Sequence, residues 1–297
     1  MKNNNFKLGH LYIVATPIGN YNDISKRALI ILNKVDYILA EDTRKIGILL
    51  KIFNIKKKLY SYYEYNEKKK IKLFLDKIKK GYNIALVSDA GTPLINDPGY
   101  RIVQLCRTQY INIKIIPIPG PCAAILALSV SGLPTNRFCY EGFLSNKKNK
   151  RIKRLNELKL ENRTLIFYES THRVLECLYD IKKIFGKDRY IVFIKELTKK
   201  WENIYGNSIL NLIKWLKLDL NRLKGEIVLV ISGYKYKSSN DSDKISSKII
   251  RTFLELKKEL STKKAIKITS DIFSIKKNLL YKFYIKKNIN YDSNHVE

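Results

Sequence analysis

Short apolar runs recur along the chain, each closed by glycine, proline or aspartate, with amphipathic stretches between them. That alternation predicts an α/β architecture, in which helices cover buried strands. The runs "LYIVAT" (11–16), "YILAED" (37–42), "IALVSD" (84–89) and "IKIIPIP" (113–119) read as strands, and "ISKRALIILNKV" (24–35) places its apolar residues at helical spacing. A second set of strands follows in "TLIFYES" (164–170), "RYIVFIKEL" (189–197) and "EIVLVISG" (226–233). Between the two sets the chain changes character: a proline turn, an aromatic patch and a basic run follow one another from residue 132 to 150. We therefore expect an N-terminal α/β domain over 1–131 and a C-terminal α/β domain over 132–236. Polar, turn-rich residues 237–244 read as a linker. Residues 245–290 read as a helical segment, with two short helices begun by Ser261 or Thr262 and by Ser274, similar to a helix-turn-helix.

Length and composition fit this picture. At 297 residues the chain suits about two domains, and its 45% hydrophobic content is spread over the whole length. The formal charge of +30, from 57 Lys and Arg against 27 Asp and Glu, points to an anionic partner such as RNA. Part of that charge reflects composition: the excess is mostly Lys, alongside the Ile, Asn and Tyr that accumulate together as a genome drifts towards A and T. Cys106, Cys122, Cys139 and Cys177 form no C-x-x-C pair and read as thiols of a reducing cytoplasm. His10, His172 and His295 are too scattered to join them in a zinc site, so no metal is expected. The longest apolar stretch, "CAAILALSVSGL" (122–133), is too short to span a bilayer, and a soluble cytoplasmic protein without a membrane partner is expected.

The candidate chemistry lies in the turns. In "SDAGTPLINDPG" (88–99) Asp89 sits at a strand end, Gly91 lets main chain approach a ligand, and Pro93 and Pro98 stiffen the loop. "TPIGN" (16–20) and "PGPCAA" (119–124) follow two other predicted strands, so three such turns can converge at one sheet edge, where α/β sheets bind ligands. The third turn opens a helix, whose free N–H groups favour an anion, while Asp89 favours a cation or hydroxyl. A zwitterionic, partly apolar cofactor meets both demands. Neither a G-x-x-x-x-G-K-[ST] nor a G-x-G-x-x-G pattern is present to argue for a phosphate ligand.

Together "LYIVATPIGN", "AEDTR", "VSDAGTPLINDPG", "PGPCAA", "FCYEGF", "FYESTHR", "KELTK" and "KGE" occur in the order and spacing of one family. The chain resembles the ribosomal RNA small subunit methyltransferase I family, a branch of the tetrapyrrole methylase superfamily, over about residues 11–286. The resemblance implies a two-domain tetrapyrrole-methylase fold with S-adenosylmethionine in the cleft between domains, and a small C-terminal helical segment. It implies methylation of the ribose 2'-hydroxyl of a decoding-centre cytidine (cytidine 1402) of 16S rRNA in the small ribosomal subunit, by a homodimer. Matching positions assign the cofactor to Pro17, Gly19, Asp89, Gly91, Thr92, Cys122 and Ala123, with Tyr168, Glu169 and Glu226 from the second domain. RNA contacts are expected from Arg44, Asn66, Lys147, Lys148 and Lys199, and the Lys- and Tyr-rich C-terminal helices are expected to add RNA affinity.

Methyl transfer to a hydroxyl needs in-line positioning of two reactants and an acceptor for the hydroxyl proton. Glu41, Asp42, Glu67 and Glu169 are the leading candidates for that acceptor, with Asp97, Glu141 and Glu196 also in matching motifs. For several the alternative is structural. Asp42 with Arg44 can be a helix cap and ion pair, Glu169 can pair with Arg173, and the run Lys147, Lys148, Lys150, Arg151, Lys153 and Arg154 can be a solvated helix face instead of a phosphate site. One departure stands out: "YYEYNE" puts Tyr63 and Tyr65 where the family commonly has histidines, which removes any imidazole base there and leaves rings that could stack on an unpaired base. Two rival functions stay open: methylation of a small tetrapyrrole, and a catalytically silent ribosome-assembly factor.

Overall fold

The computed structural model describes residues 8–235, 247–273 and 275–292. The linker expected over 237–244 and the cap residue Ser274 lie outside the described residues. The chain divides into two compact units between Tyr234 and Lys235.

The first unit carries two five-stranded sheets. The first is built from β1 (His10–Val14), β2 (Tyr37–Ala40), β3 (Lys58–Ser61), β4 (Ile84–Val87) and β5 (Lys114–Ile118), covered by α1 (Lys26–Lys34), α2 (Thr43–Ile52), α3 (Glu64–Lys79) and α4 (Tyr100–Thr108), and followed by α5 (Ala123–Val130). Every pairing in it is parallel, in the order β3-β2-β4-β1-β5. Alternation along the strands feeds two cores. Val14, Ile38, Ala85 and Val87 pack with the helix residues Ala28, Leu32, Ile46 and Leu50, while Leu11, Leu39, Ile84 and Leu86 pack with Phe74, Ile78 and Ile102. Both faces are thus buried, which is why the central strands read as continuous apolar runs.

The second sheet contains β6 (Phe138–Phe143), β7 (Thr164–Glu169), β8 (Tyr190–Lys195), β9 (Asn203–Ser208) and β10 (Ile227–Ile231), with α6 (Lys148–Leu158), α7 (Val174–Phe185) and α8 (Ile209–Leu218). Its order is β6-β7-β10-β8-β9, parallel only at β6–β7. Leu165, Phe167, Ile191, Phe193, Leu229 and Ile231 face α6, α7 and α8, whereas Ile166, Val192, Ile194, Val228 and Val230 face α5. The position expected to separate two domains, 131/132, falls at the end of α5, where Ser131 is the C-cap. Both sheets belong to one compact unit.

The second unit holds α9 (Ser247–Glu259), α10 (Thr262–Phe273) and α11 (Lys277–Asp292) around a small core of Phe253, Ala265, Ile266 and Leu280. Ser261 immediately precedes α10, and its backbone carbonyl accepts the Ala265 N–H (2.9 Å). The segment therefore has three helices, not the two read from the sequence. No helix among the described residues is long and apolar enough to cross a membrane.

Three strands escape the sequence reading: β3, β6 and β9. All three are sheet edges. Half-exposed edges need no apolar run, and β6 is further broken by a register shift between Tyr140 and Gly142.

Candidate active site

The three Gly/Pro turns after β1, β4 and β5 meet, because those strands are neighbours in the parallel sheet. Thr16 and Gly91 exchange backbone hydrogen bonds of 2.9 and 3.0 Å. The Thr16 hydroxyl donates to the Ser88 carbonyl (3.0 Å), the Ser88 hydroxyl to the Gly91 carbonyl (2.9 Å), and the Thr92 hydroxyl to the Pro121 carbonyl (2.9 Å). Gly91 has φ +85°, which a side-chain-bearing residue rarely adopts. The result is a floor of fixed main chain at the carboxyl ends of the strands, the expected place for a ligand in such a sheet.

Between this floor and the second sheet lies a cavity of about 430 Å³. Asp89, Gly91, Thr92, Cys122, Ala123, Tyr168, Glu169 and Glu226 line it, eight residues singled out in the sequence. Pro17 and Gly19 flank Ile18, which lines the cavity although they do not. Gly19 instead packs against residues 197–199: a Cβ there would lie 2.5 Å from Lys199 Cγ. The apolar wall of Ile18, Ile194, Leu197 and Val228, and the residues Asp97, Phe143 and Gly225, were not assigned to the cofactor from sequence. Ile194 and Val228 are paired across β8 and β10 and point towards α5, a placement only the strand register reveals. Gly225, at φ +99°, leaves room for the Glu196 carboxylate, which a Cβ would approach to 2.5 Å.

The cavity is anionic at its floor. Asp89 receives the Lys45 ammonium (2.8 Å) and the Asp42 N–H (2.9 Å). Burial, reinforced by Glu41 and Asp89, pushes the Asp97 carboxyl up to about 7 against a weaker opposing contact with Ser88. Burial and the Asp89 charge also raise Glu41, which makes no ion pair among the described residues. Burial pushes the Tyr168 phenol up to about 12, so it stays protonated at neutral pH. Its oxygen accepts the Ala124 N–H (3.1 Å), so one of the N–H groups at the start of α5, expected to be free for an anion, is already engaged.

Other candidates are tied up in structure. Glu67 is buried, accepting from the Tyr62 hydroxyl (3.1 Å) and the Arg101 N–H (3.3 Å), and does not line the cavity. Asp42 caps α2 and forms a two-point pair with Arg44 (3.0 and 2.7 Å), which holds its carboxyl well below the usual range. Glu169 faces the cavity, yet one oxygen takes both the Ser170 N–H (2.7 Å) and Arg173 (2.9 Å). Asn66 closes the N-terminus of α3, accepting from the Tyr63 N–H (3.0 Å). Lys199 bridges Glu196 (3.0 Å) and Glu226 (3.1 Å), so its charge is already compensated. Lys147 and Lys148 are exposed and carry no ion pair among the described residues, but their neighbour Arg151 is fully buried. That overturns the solvated-face reading for Arg151, because α6 turns it inward onto α7. His172 is exposed, and Tyr63 and Tyr65 lie at the exposed start of α3, off the cavity wall.

A parallel sheet ends in a carboxylate-floored cavity that a second, mixed sheet closes, and the chain that carries it falls, by its sequence, in the tetrapyrrole methylase class. The tetrapyrrole (corrin/porphyrin) methylase family matches residues 10–212. Solved structures share the fold: uroporphyrin-III-C-methyltransferase from Thermus thermophilus (TM-score 0.53, 18% identity, 75% of this chain and 94% of that one) and diphthine synthase (TM-score 0.56, 17% identity, 75% and 90%). Much closer in sequence are proteins named ribosomal RNA small subunit methyltransferase I. That of Escherichia coli O157:H7 is 50% identical over 94% of this chain and 96% of its own length, and that of Buchnera aphidicola subsp. Baizongia pistaciae 52% over 95% and 94%. The chain belongs to the ribosomal RNA small subunit methyltransferase I family.

Proposed function

We propose that the protein transfers a methyl group from S-adenosylmethionine to the ribose 2'-hydroxyl of cytidine 1402 in 16S rRNA of the small ribosomal subunit. The observation that carries this reading is the cavity itself: fixed main chain and carboxylates on one side, an apolar wall on the other, in a chain of this family. Its size falls within the usual range for small-molecule sites. Asp89 suits a cationic group of the cofactor, and Ile18, Ile194, Leu197 and Val228 suit its base. When bound, S-adenosylmethionine supplies a methyl carbon activated by its positively charged sulfur. The chain's part is to orient that carbon, exclude water and receive the proton of the attacking hydroxyl. Tyr63 and Tyr65 stand off the cavity, so the departure from the family histidines removes nothing from its wall, which favours an active enzyme over a silent assembly factor.

The test is transfer of labelled methyl from the cofactor to unmodified small ribosomal subunits, followed by nucleoside analysis. Labelled 2'-O-methylcytidine is expected; its absence would remove the proposal.

Asp97 lines the cavity and makes no ion pair among the described residues, whereas Glu41, Asp42 and Glu67 do not line it and Glu169, which does, is paired with Arg173, so Asp97 suits the proton acceptor best. An acceptor must be ionised, and below about 7 the ionised fraction of Asp97 falls with each unit of pH. The sign follows: kcat/KM for the RNA should rise by about tenfold from pH 6 to pH 8 and then level. Asp97→Asn should be slow and lack that slope; a variant that keeps the wild-type profile would assign the proton to another group.

A further inference from the structure

A second concavity, of about 640 Å³, opens beside the first, and Gly225 lines both. It is lined by Lys195, Lys200, Arg222 and Lys224, by Glu196 and Glu202, and by both tryptophans of the chain, Trp201 and Trp215. The two rings differ in what already covers them. Trp215 is stacked on Tyr205 at 4.2 Å and 2°, and the Arg222 guanidinium sits 4.1 Å from its centroid. Trp201 is 69% exposed, with no ring partner among the described residues and only the Lys200 ammonium 5.2 Å away. An indole left in water beside cations costs hydrophobic free energy that a stacked base would recover.

The charges divide in the same way. Lys195 is spent on the Asn221 carbonyl (2.7 Å), and Arg222 on the Trp215 carbonyl, with Asp219 3.8 Å away. Lys200 and Lys224 have no carboxylate partner among the described residues. Glu196 is satisfied by Lys199 and the Glu226 N–H (2.8 Å), and Glu202 accepts the Thr198 N–H (2.7 Å). Those carboxylates hold the loop in place: Glu196 and Thr198 have φ of 55° and 64°, the left-handed region that non-glycine residues enter only when their surroundings hold them there. The groove is therefore a fixed platform, with one free aromatic face and two uncompensated ammonium groups.

We propose that this groove binds an unpaired nucleotide of the RNA substrate other than the one methylated, its base on Trp201 and its phosphate against Lys200 and Lys224. The inference rests on the RNA-methyltransferase reading. Aromatic faces interleaved with cations are how proteins hold single-stranded RNA without reading its sequence. An acidic peptide would use the ammonium groups but leave the indole bare.

Because both tryptophans line the groove, fluorescence of the full chain excited where tryptophan absorbs and tyrosine does not reports on it. Titration with a twelve-nucleotide uridine oligomer should quench the emission saturably. Trp201→Ala should weaken oligomer binding, followed by anisotropy of a labelled oligomer, by roughly tenfold, and raise KM for subunits, while cofactor affinity by calorimetry stays put. Lys224→Ala should reduce the slope of log affinity against log salt by about 0.7. Unchanged oligomer affinity in both variants, or equal competition by polyglutamate of matched charge, would overturn the proposal. If wild-type protein methylates subunits while these variants bind as it does, only the groove assignment fails. If wild-type protein transfers no methyl yet binds the oligomer through Trp201, only the enzymatic reading fails.

Discussion

Arg151→Ala is expected to destabilise the first unit by ~3–5 kcal/mol, lowering its melting temperature by on the order of 10 °C. The guanidinium is 1% exposed and reaches two acids one helical turn apart on α7: Asp180, through Nε (2.8 Å) and Nη2 (2.7 Å), and Glu176 (2.5 Å). A third contact runs to the Ser145 carbonyl (3.3 Å). Asp180 is itself buried, so removing the arginine leaves an ionised carboxylate in the interior without a partner. That uncompensated charge, more than the lost attraction, sets the size of the effect. The double variant Arg151→Met with Asp180→Leu should therefore recover most of the loss, since a buried pair replaced by apolar side chains of similar volume is often neutral. Thermal denaturation of the two variants checks both statements. Equal destabilisation of single and double variants would mean that packing, and not charge, is at stake. RNA affinity should not follow stability here, because the guanidinium does not face solvent.

Arg151 also marks where sequence reading stops. Six cations in eight residues look like one basic face, and four of them, Lys147, Lys148, Lys150 and Lys153, are exposed. Arg151 and Arg154 are not available: Arg154 pairs with Glu141 (2.7 Å) and Glu157 (2.8 Å). Glu141 comes from β6 and Asp180 from α7, and partners that distant in sequence are set only by tertiary packing. The buried strands β1, β4, β8 and β10 were legible for the opposite reason. Each is enclosed on both sides, so its apolar run is uninterrupted and ends sharply at a turn. The edges β3, β6 and β9 lack that signature, and α9 begins beside residues that read as linker.

The site shows the same division. Glycine, proline and aspartate reveal a turn that holds main chain in place, so the floor at residues 16–20, 88–92 and 119–124 was readable. The opposite wall was not. Ile194, Leu197 and Val228 are ordinary apolar residues until β8 and β10 align and turn one face towards the cavity. The carboxylates were visible as residue types, but their availability was not. Whether Glu67 or Asp97 is free depends on Tyr62, Arg101 and Ser88, which the fold alone brings near.

Asp89→Ala should weaken S-adenosylmethionine binding on the order of a hundredfold, the loss of a hydrogen-bonded charge at about 1.5–3 kcal/mol. Asp89 lines the cavity floor with two oxygens, and each already holds one donor: the Asp42 N–H on Oδ1 and the Lys45 ammonium on Oδ2. A carboxylate has about four acceptor positions, so it can take a hydroxyl or cation without releasing either. Both donors aim the acid into the cavity, and the Lys45 side chain is largely exposed. The stability cost should be small, about 1 kcal/mol, because the Lys45 pair is solvent-accessible and pairs of that kind contribute little. Asp89→Asn separates geometry from charge: its carbonyl can still accept from Asp42, but it offers no negative charge to a cationic cofactor. The expected order of dissociation constants by calorimetry is wild type, then Asn, then Ala. A dissociation constant unaltered in Ala would make the turn a structural element and move the cofactor elsewhere. Asn equal to wild type would mean that Asp89 meets a hydroxyl and that its charge is not used.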